Sequence, residues 1–202
     1  LPGLLNYRAG QLADAARRRS GVAPLPEGGL AALEARPFDP ALFTARDREL
    51  VALDPYVVDR QLGLRDGARG AFETYAAFLR RALDSCRAGG ASAIVFVVPH
   101  AVEVDPVYRE RFEALGARFE DPDAVGKPES PFGLAVRRVI ASAPGAEFLD
   151  VKPALRAAQA LGVAVYRNND SHFSREGDRV VAEVVLGALA RSGFAGEGPG
   201  QQ

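Results

Sequence analysis

Cysteine and histidine are scarce in this chain, and methionine and tryptophan are missing altogether. A single cysteine, Cys86, excludes an internal disulfide framework and any cysteine-based zinc cluster. Two histidines, His100 and His172, leave little for a histidine-rich metal site. No run of about 18 apolar residues occurs, so no segment reads as a membrane span, and no secretory signal pattern is found. Neither sign of charge is in excess: 25 basic and 26 acidic residues give a formal net charge of −1. Such a balance supplies no field to hold a polyanion, and nucleic acid is not an expected partner. The first residues, LPGLLNYRAGQ, start in mid-phrase and no methionine follows. The chain therefore reads as a fragment or a processed product.

What is present is ordinary globular material. The 202 residues, 48% hydrophobic and 25% charged, suffice for one domain with a real core. We expect a single domain over 1–192 and a disordered Gly-rich tail over 193–202. From about Ala93 the pattern alternates between strand and helix. IVFVVP (Ile94 to Pro99) is a continuous β-branched and aromatic run, the mark of a strand buried on both faces of a parallel sheet. Asp105 and Pro106 then open a helix that Gly116 closes, and Ser130 and Pro131 open another. GAEFLDV (Gly145 to Val151) reads as a second strand, and Pro153 to Leu161 as a short helix stopped by Gly162. A short strand near 117–119 is a further expectation, and VAVY (Val163 to Tyr166) reads either as a strand or as the approach to the next loop. A final helix over about 175–191 carries its apolar stripe on Val181, Val184, Val185, Ala188 and Leu189.

Before the first strong strand, Phe72, Tyr75, Ala76, Leu79, Leu83 and Cys86 recur at helical spacing, predicting a long core-facing helix over about 67–88. Cys86 on that stripe reads as a small hydrophobe, not a nucleophile. Further upstream, helices are expected over about 5–19 and 46–53. Strand and helix in alternation predict an α/β fold, a three-layer α/β/α domain with a mostly parallel sheet, its first strands lying upstream of Leu1.

The chemistry concentrates in Arg167-Asn168-Asn169-Asp170-Ser171-His172-Phe173-Ser174. This stretch follows an apolar run and leads into the last helix, which places it in a loop at a sheet edge, where sites form in open α/β folds. Asp170 and His172 are two apart, close enough for the carboxylate to fold onto the imidazole. That bond would fix the tautomer and leave the second ring nitrogen as a general base. The competing reading is a capping turn in which Asp170 and Ser171 bond backbone amides. Similarly, Asn168 and Asn169 suit turn geometry, His100 suits a satisfied structural role, and Arg17–Arg19 suit a solvated helix face.

NDSHFSREGDRVVAEVVLGAL resembles the last signature block of the SGNH (GDSL-type) hydrolase superfamily, with Asp170, His172 and Gly177 at the block's Asp, His and Gly positions. The two-residue spacing of Asp and His looks more like the branches related to polysaccharide acetyl transfer and bacterial cell-envelope hydrolases. IVFVVPHAVEVDP resembles the family's later central strand and following loop, so the likeness covers about 72–190. It implies a flavodoxin-like sheet and hydrolysis or transfer of an acyl (acetyl) group on a small-molecule or carbohydrate ester, with no metal or organic cofactor required. It also implies that His172 is the base and Asp170 its orienting partner. The family's Gly-Asp-Ser nucleophile block and its oxyanion Gly and Asn blocks have no counterpart here. Asn6 is not assigned to the oxyanion hole. The chain alone is therefore expected to be inactive on simple esters, and an intact parent active. The alternative is a catalytically inactive SGNH-like domain that binds carbohydrate or a partner; a metal site built on the Asp–His pair is a weaker one.

Overall fold

The computed structural model describes residues 36–121, 127 and 129–192. Two four-residue strands, β1 (Ala93–Phe96) and β2 (Ala146–Leu149), pair in parallel with Ile94 opposite Glu147 and Phe96 opposite Leu149. Among the described residues, three helices precede β1: α1 (Ala45–Leu53), α2 (Val57–Gly63) and α3 (Ala68–Ala88). α4 (Pro106–Ala114) and α5 (Pro131–Ala141) lie between the strands, and α6 (Lys152–Ala160) and α7 (Arg175–Arg191) follow β2. Helical structure thus dominates, with one small parallel sheet among the described residues, and the chain is of mixed α/β character.

The punctuation seen in the sequence does its work here. Asp105, Ser130 and Ser174 each accept a hydrogen bond from a backbone N–H of the helix they open, from Val107, Gly133 and Gly177 respectively. The following helices are thereby started at fixed residues, two of them with Pro in the first turn.

Alternation along the strands sorts their side chains between two cores. Ala93, Val95, Ala146 and Phe148 pack with Phe72, Ala76 and Leu83 of α3 and with Val136, Val139 and Ile140 of α5. Ile94 and Leu149 turn the other way, into a larger cluster that includes Tyr108 and Phe112 of α4, Leu155 of α6 and Val181 of α7. Val51 of α1 and Val58 of α2 belong to this second cluster. Burying side chains such as Ile140 and Leu155, 1% and 0% exposed, contributes roughly 1.5–3 kcal/mol each.

Several expectations need correction. The α3 stripe is buried at Phe72, Ala76 and Leu83, but Tyr75 is 43% exposed and Cys86 is exposed. The 21 residues of α3 span about 31 Å, whereas a four-residue strand spans about 13 Å, so the helix overhangs the sheet at its ends. Residues 117–119 form no strand, and 163–166 contribute only an isolated antiparallel bridge from Tyr166 to Phe173. α2 escaped the sequence pattern because its end falls on Leu64 in the left-handed region (φ 50°), one residue after the glycine that would announce it. The helix expected over 5–19 and the disorder expected over 193–202 fall outside the described residues.

Candidate active site

The Asp–His loop is tied to the end of β1 before it begins. Val165 and Tyr166, 0% and 1% exposed, run into the larger core. The Tyr166 hydroxyl donates to the carbonyl of Pro99, three residues beyond β1. The Tyr166 N–H donates to the Tyr108 hydroxyl at 3.2 Å. Burial of both phenols in this corner raises their pKa above the ordinary tyrosine range, so both remain donors.

From there the chain doubles back. The Arg167 N–H bonds the His172 carbonyl at 3.1 Å, and the Ser174 N–H bonds the Val165 carbonyl at 3.0 Å. Ser174 also donates its hydroxyl to Ala164 O at 2.6 Å while capping α7. Gly177 completes the closure: a Cβ there would collide with the Val165 carbonyl oxygen, so only glycine lets the first turn of α7 rest on that segment. Residues 168–171 are left as a projecting turn. In it, Asn169 accepts from the Asp39 N–H at 2.7 Å and donates from Nδ2 to Pro37 O at 2.8 Å, which pins the segment before α1.

Asp170 and His172 are in direct contact. His172 Nδ1 lies 2.5 Å from Asp170 Oδ1. The same oxygen accepts the His172 backbone N–H at 3.2 Å, and Oδ2 takes Arg167 Nη1 at 3.2 Å. The backbone bond is the one a capping turn makes, and the imidazole bond is added to it. A carboxylate can only accept, so the proton on His172 sits at Nδ1 and the Nε2 lone pair is free. Exposure is divided accordingly. The Asp170 side chain is 20% exposed and held by three donors, whereas the His172 ring is 77% exposed.

His172 stands at one side of a cleft of about 940 Å³. Val97, Val98 and Pro99, which continue β1, form part of its wall, as do Leu50 of α1, Phe72 and Tyr75 of α3. The second histidine of the chain, His100, lines the same cleft. Its ring packs on Phe112 at 4.8 Å, and its Nδ1 accepts the Val102 N–H at 3.4 Å. Glu103 reaches back to the His100 N–H at 3.0 Å and is itself fixed by Lys152 Nζ at 2.6 Å, both charges being buried. Burial lowers the His100 pKa, while the carboxylates of Glu103 and Asp47 oppose that shift. Neither this buried ion pair nor the Asn169 bonds were anticipated. The Glu103 bond to His100, by contrast, had a signal in the His100-x-x-Glu103 spacing of a capping box.

Nucleophiles are few around this cleft. Ser171 is the one serine among its lining residues. The hydroxyls of Ser85, Ser142, Ser174 and Ser192 donate to backbone carbonyls, and Ser130 caps α5. Cys86 does not line it. Among the described residues, no group of three or more His, Cys, Asp or Glu is arranged to hold a metal ion. No helix among them is long and apolar enough to cross a membrane. Comparison of the chain with family models, with curated proteins and with solved structures gives no match.

Proposed function

We propose that this chain carries the Asp–His half of an SGNH-type acyl-ester site, serving hydrolysis of an oxygen ester or transfer of its acyl group, on a three-layer α/β/α domain. The observation that carries the reading is the 2.5 Å contact of Asp170 with His172 Nδ1, beside a cleft at the carboxyl end of β1. Parallel pairing of β1 with β2, and apolar clusters on both strand faces, support the layered fold. By resemblance, the nucleophile is a serine from a Gly-Asp-Ser block that these residues do not contain.

In that mechanism the serine oxygen attacks the ester carbonyl carbon while His172 Nε2 takes its proton. The tetrahedral adduct collapses, the carbon–oxygen bond of the alcohol breaks, and the imidazolium returns the proton to the departing oxygen. A water, or a second alcohol, then takes the acyl group by the same route in reverse. Asp170 stabilises the imidazolium at each step, and Arg167 keeps Asp170 oriented. Among the described residues Ser171, inside the Asp–His turn itself, is the one serine lining the cleft, and this favours a second reading, an SGNH-like domain that binds a carbohydrate or a partner without turnover.

The test is p-nitrophenyl acetate hydrolysis by the 202-residue chain and by a longer parent carrying Gly-Asp-Ser, each with and without His172→Ala. Turnover is expected in the parent alone and is lost with His172. Parental turnover that survives His172→Ala removes His172 from the mechanism. A parent inert in every form leaves the binding-domain reading.

A further inference from the structure

The two imidazoles that share this cleft are held by opposite hydrogen bonds. His172 Nδ1 faces a carboxylate, which can only accept, so Nδ1 carries the proton. His100 Nδ1 faces the backbone N–H of Val102, which can only donate, so Nδ1 is bare and the proton resides on Nε2. His100 Nε2 has no hydrogen-bond partner among the described residues, and it is not sealed from solvent either. A half-buried N–H group that lines a cleft and lacks a protein partner is a donor awaiting an acceptor.

The ring is also rigid. Phe112 packs against it, the Glu103 side chain holds its backbone N–H, and Arg156 Nε holds the Glu103 carbonyl at 2.9 Å. Lys152 neutralises Glu103, so the carboxylate nearest His100 in sequence is already paired. The ring therefore stays uncharged in neutral solution, with burial as the dominant cause.

We propose that His100 binds the ligand of this cleft, donating its Nε2–H to an oxygen acceptor such as an ester carbonyl, while His172 offers the lone pair of its own Nε2. The choice of an ester rests on the acyl-ester reading above. The donor role of His100 does not require that His172 be catalytic. The two rings are then complementary: one gives a hydrogen bond to the carbonyl side of the group, and the other accepts a proton.

The experiment uses the 202-residue chain and triacetin, a water-soluble neutral ester, as probe. Long-range ¹H–¹⁵N correlation spectra report the tautomer of each ring and follow it through the titration. His100 is expected to show a protonated Nε2 and a bare Nδ1 before the probe is added, and its Nε2–H signals should shift saturably with it. His100→Phe should weaken binding about tenfold, the worth of one neutral hydrogen bond, and His100→Gln, which keeps a side-chain N–H donor, should recover most of it. Because a purely packing role would favour Phe over Gln, that order separates donor from filler. A His100 ring protonated at Nδ1, or saturable binding indifferent to both substitutions, overturns the proposal, as does a titration that leaves the His100 signals in place. Binding that survives His172→Ala in a parent without esterase activity supports the donor while removing the hydrolase reading.

Discussion

His172 and His100 line one cleft, 72 positions apart in sequence, and they are built in opposite ways. His172 projects on a turn, its ring mostly in water, with its carboxylate partner two residues behind it. His100 sits at the end of the segment that continues β1, packed on Phe112 and accepting from a backbone N–H two residues ahead. In both cases the Nδ1 partner comes from the immediate chain, so the local fold and not a distant contact selects the tautomer. The partner's chemistry decides the outcome. A carboxylate makes the outer nitrogen a base, and an amide N–H makes it a donor. Exposure separates the two further, because a half-buried ring resists protonation while a solvated one can carry the charge that base catalysis creates.

The sharpest way to break this contrast is to remove the exposed ring. In a protein that supplies the serine, His172→Ala should lower kcat by about four orders of magnitude or more, because the nucleophile loses its base. Stability should change by no more than about 0.5 kcal/mol, since the ring is 77% exposed. Steady-state kinetics beside urea denaturation measure both. For His100 the balance should reverse, with the fold feeling the substitution more. Asp170→Asn should cost somewhat less, about a hundredfold to ten-thousandfold in kcat. Its amide can present an N–H to Nδ1 and reverse the tautomer of His172, so that it resembles His100. If kcat is unchanged in Asp170→Asn, the 2.5 Å contact has no chemical role.

The scaffold beneath the loop can be tested without any substrate. Gly177→Ala places a methyl group against the Val165 carbonyl, which is backbone and cannot swing aside. A loss of about 1–3 kcal/mol is expected, read as a lower urea midpoint. The turn should loosen with it, because Val165, Ser174 and Gly177 are joined by hydrogen bonds. Equal stability of wild type and Gly177→Ala would show that α7 does not need its close approach to hold the Asp–His turn.

The turn itself was legible because its information is local. Asp170 and His172 are two residues apart, Ser174 stands at a cap position, and Gly177 lies one turn on, so spacing alone specifies much of the geometry. The strands were legible in part: β1 lies in a β-branched and aromatic run but ends at Phe96 and leaves Val98 exposed, while β2 carries no β-branched residue. What the sequence did not disclose depends on partners far along the chain. Lys152 meets Glu103 across 49 positions, Asn169 reaches Pro37 across 132, and Tyr166 bonds Pro99 across 67. The alternating 3.6-residue pattern of α3 was read correctly as a helix but overread as burial. Periodicity tells which residues share a face, and the length of the covering sheet tells how much of that face is covered. His100 illustrates the limit most directly, since its strand-end position was visible while its tautomer required the Val102 amide to be placed.

The smallest expected effect concerns how His100 couples stability to pH. Its pKa is lowered in the folded protein, chiefly by burial, against the pull of Glu103 and Asp47. In the unfolded chain it returns to about 6.5. Below that value the unfolded state binds a proton that the folded state refuses, so unfolding gains protons as pH falls. The stability that His100 contributes is thus fully present above about pH 6.5 and is lost as pH drops through the depressed folded value. One proton limits the slope to about 1.4 kcal/mol per pH unit, and a fall in stability is expected as the pH drops below about 6.5. His100→Gln has no such proton to refuse. Urea midpoints of the two proteins should therefore converge as the solution is acidified, with carboxylate titrations common to both cancelling in the difference. Curves that stay parallel would mean that the His100 ring takes up a proton as freely in the folded protein as in the unfolded chain, and the contrast between a packed donor and a solvated base would collapse.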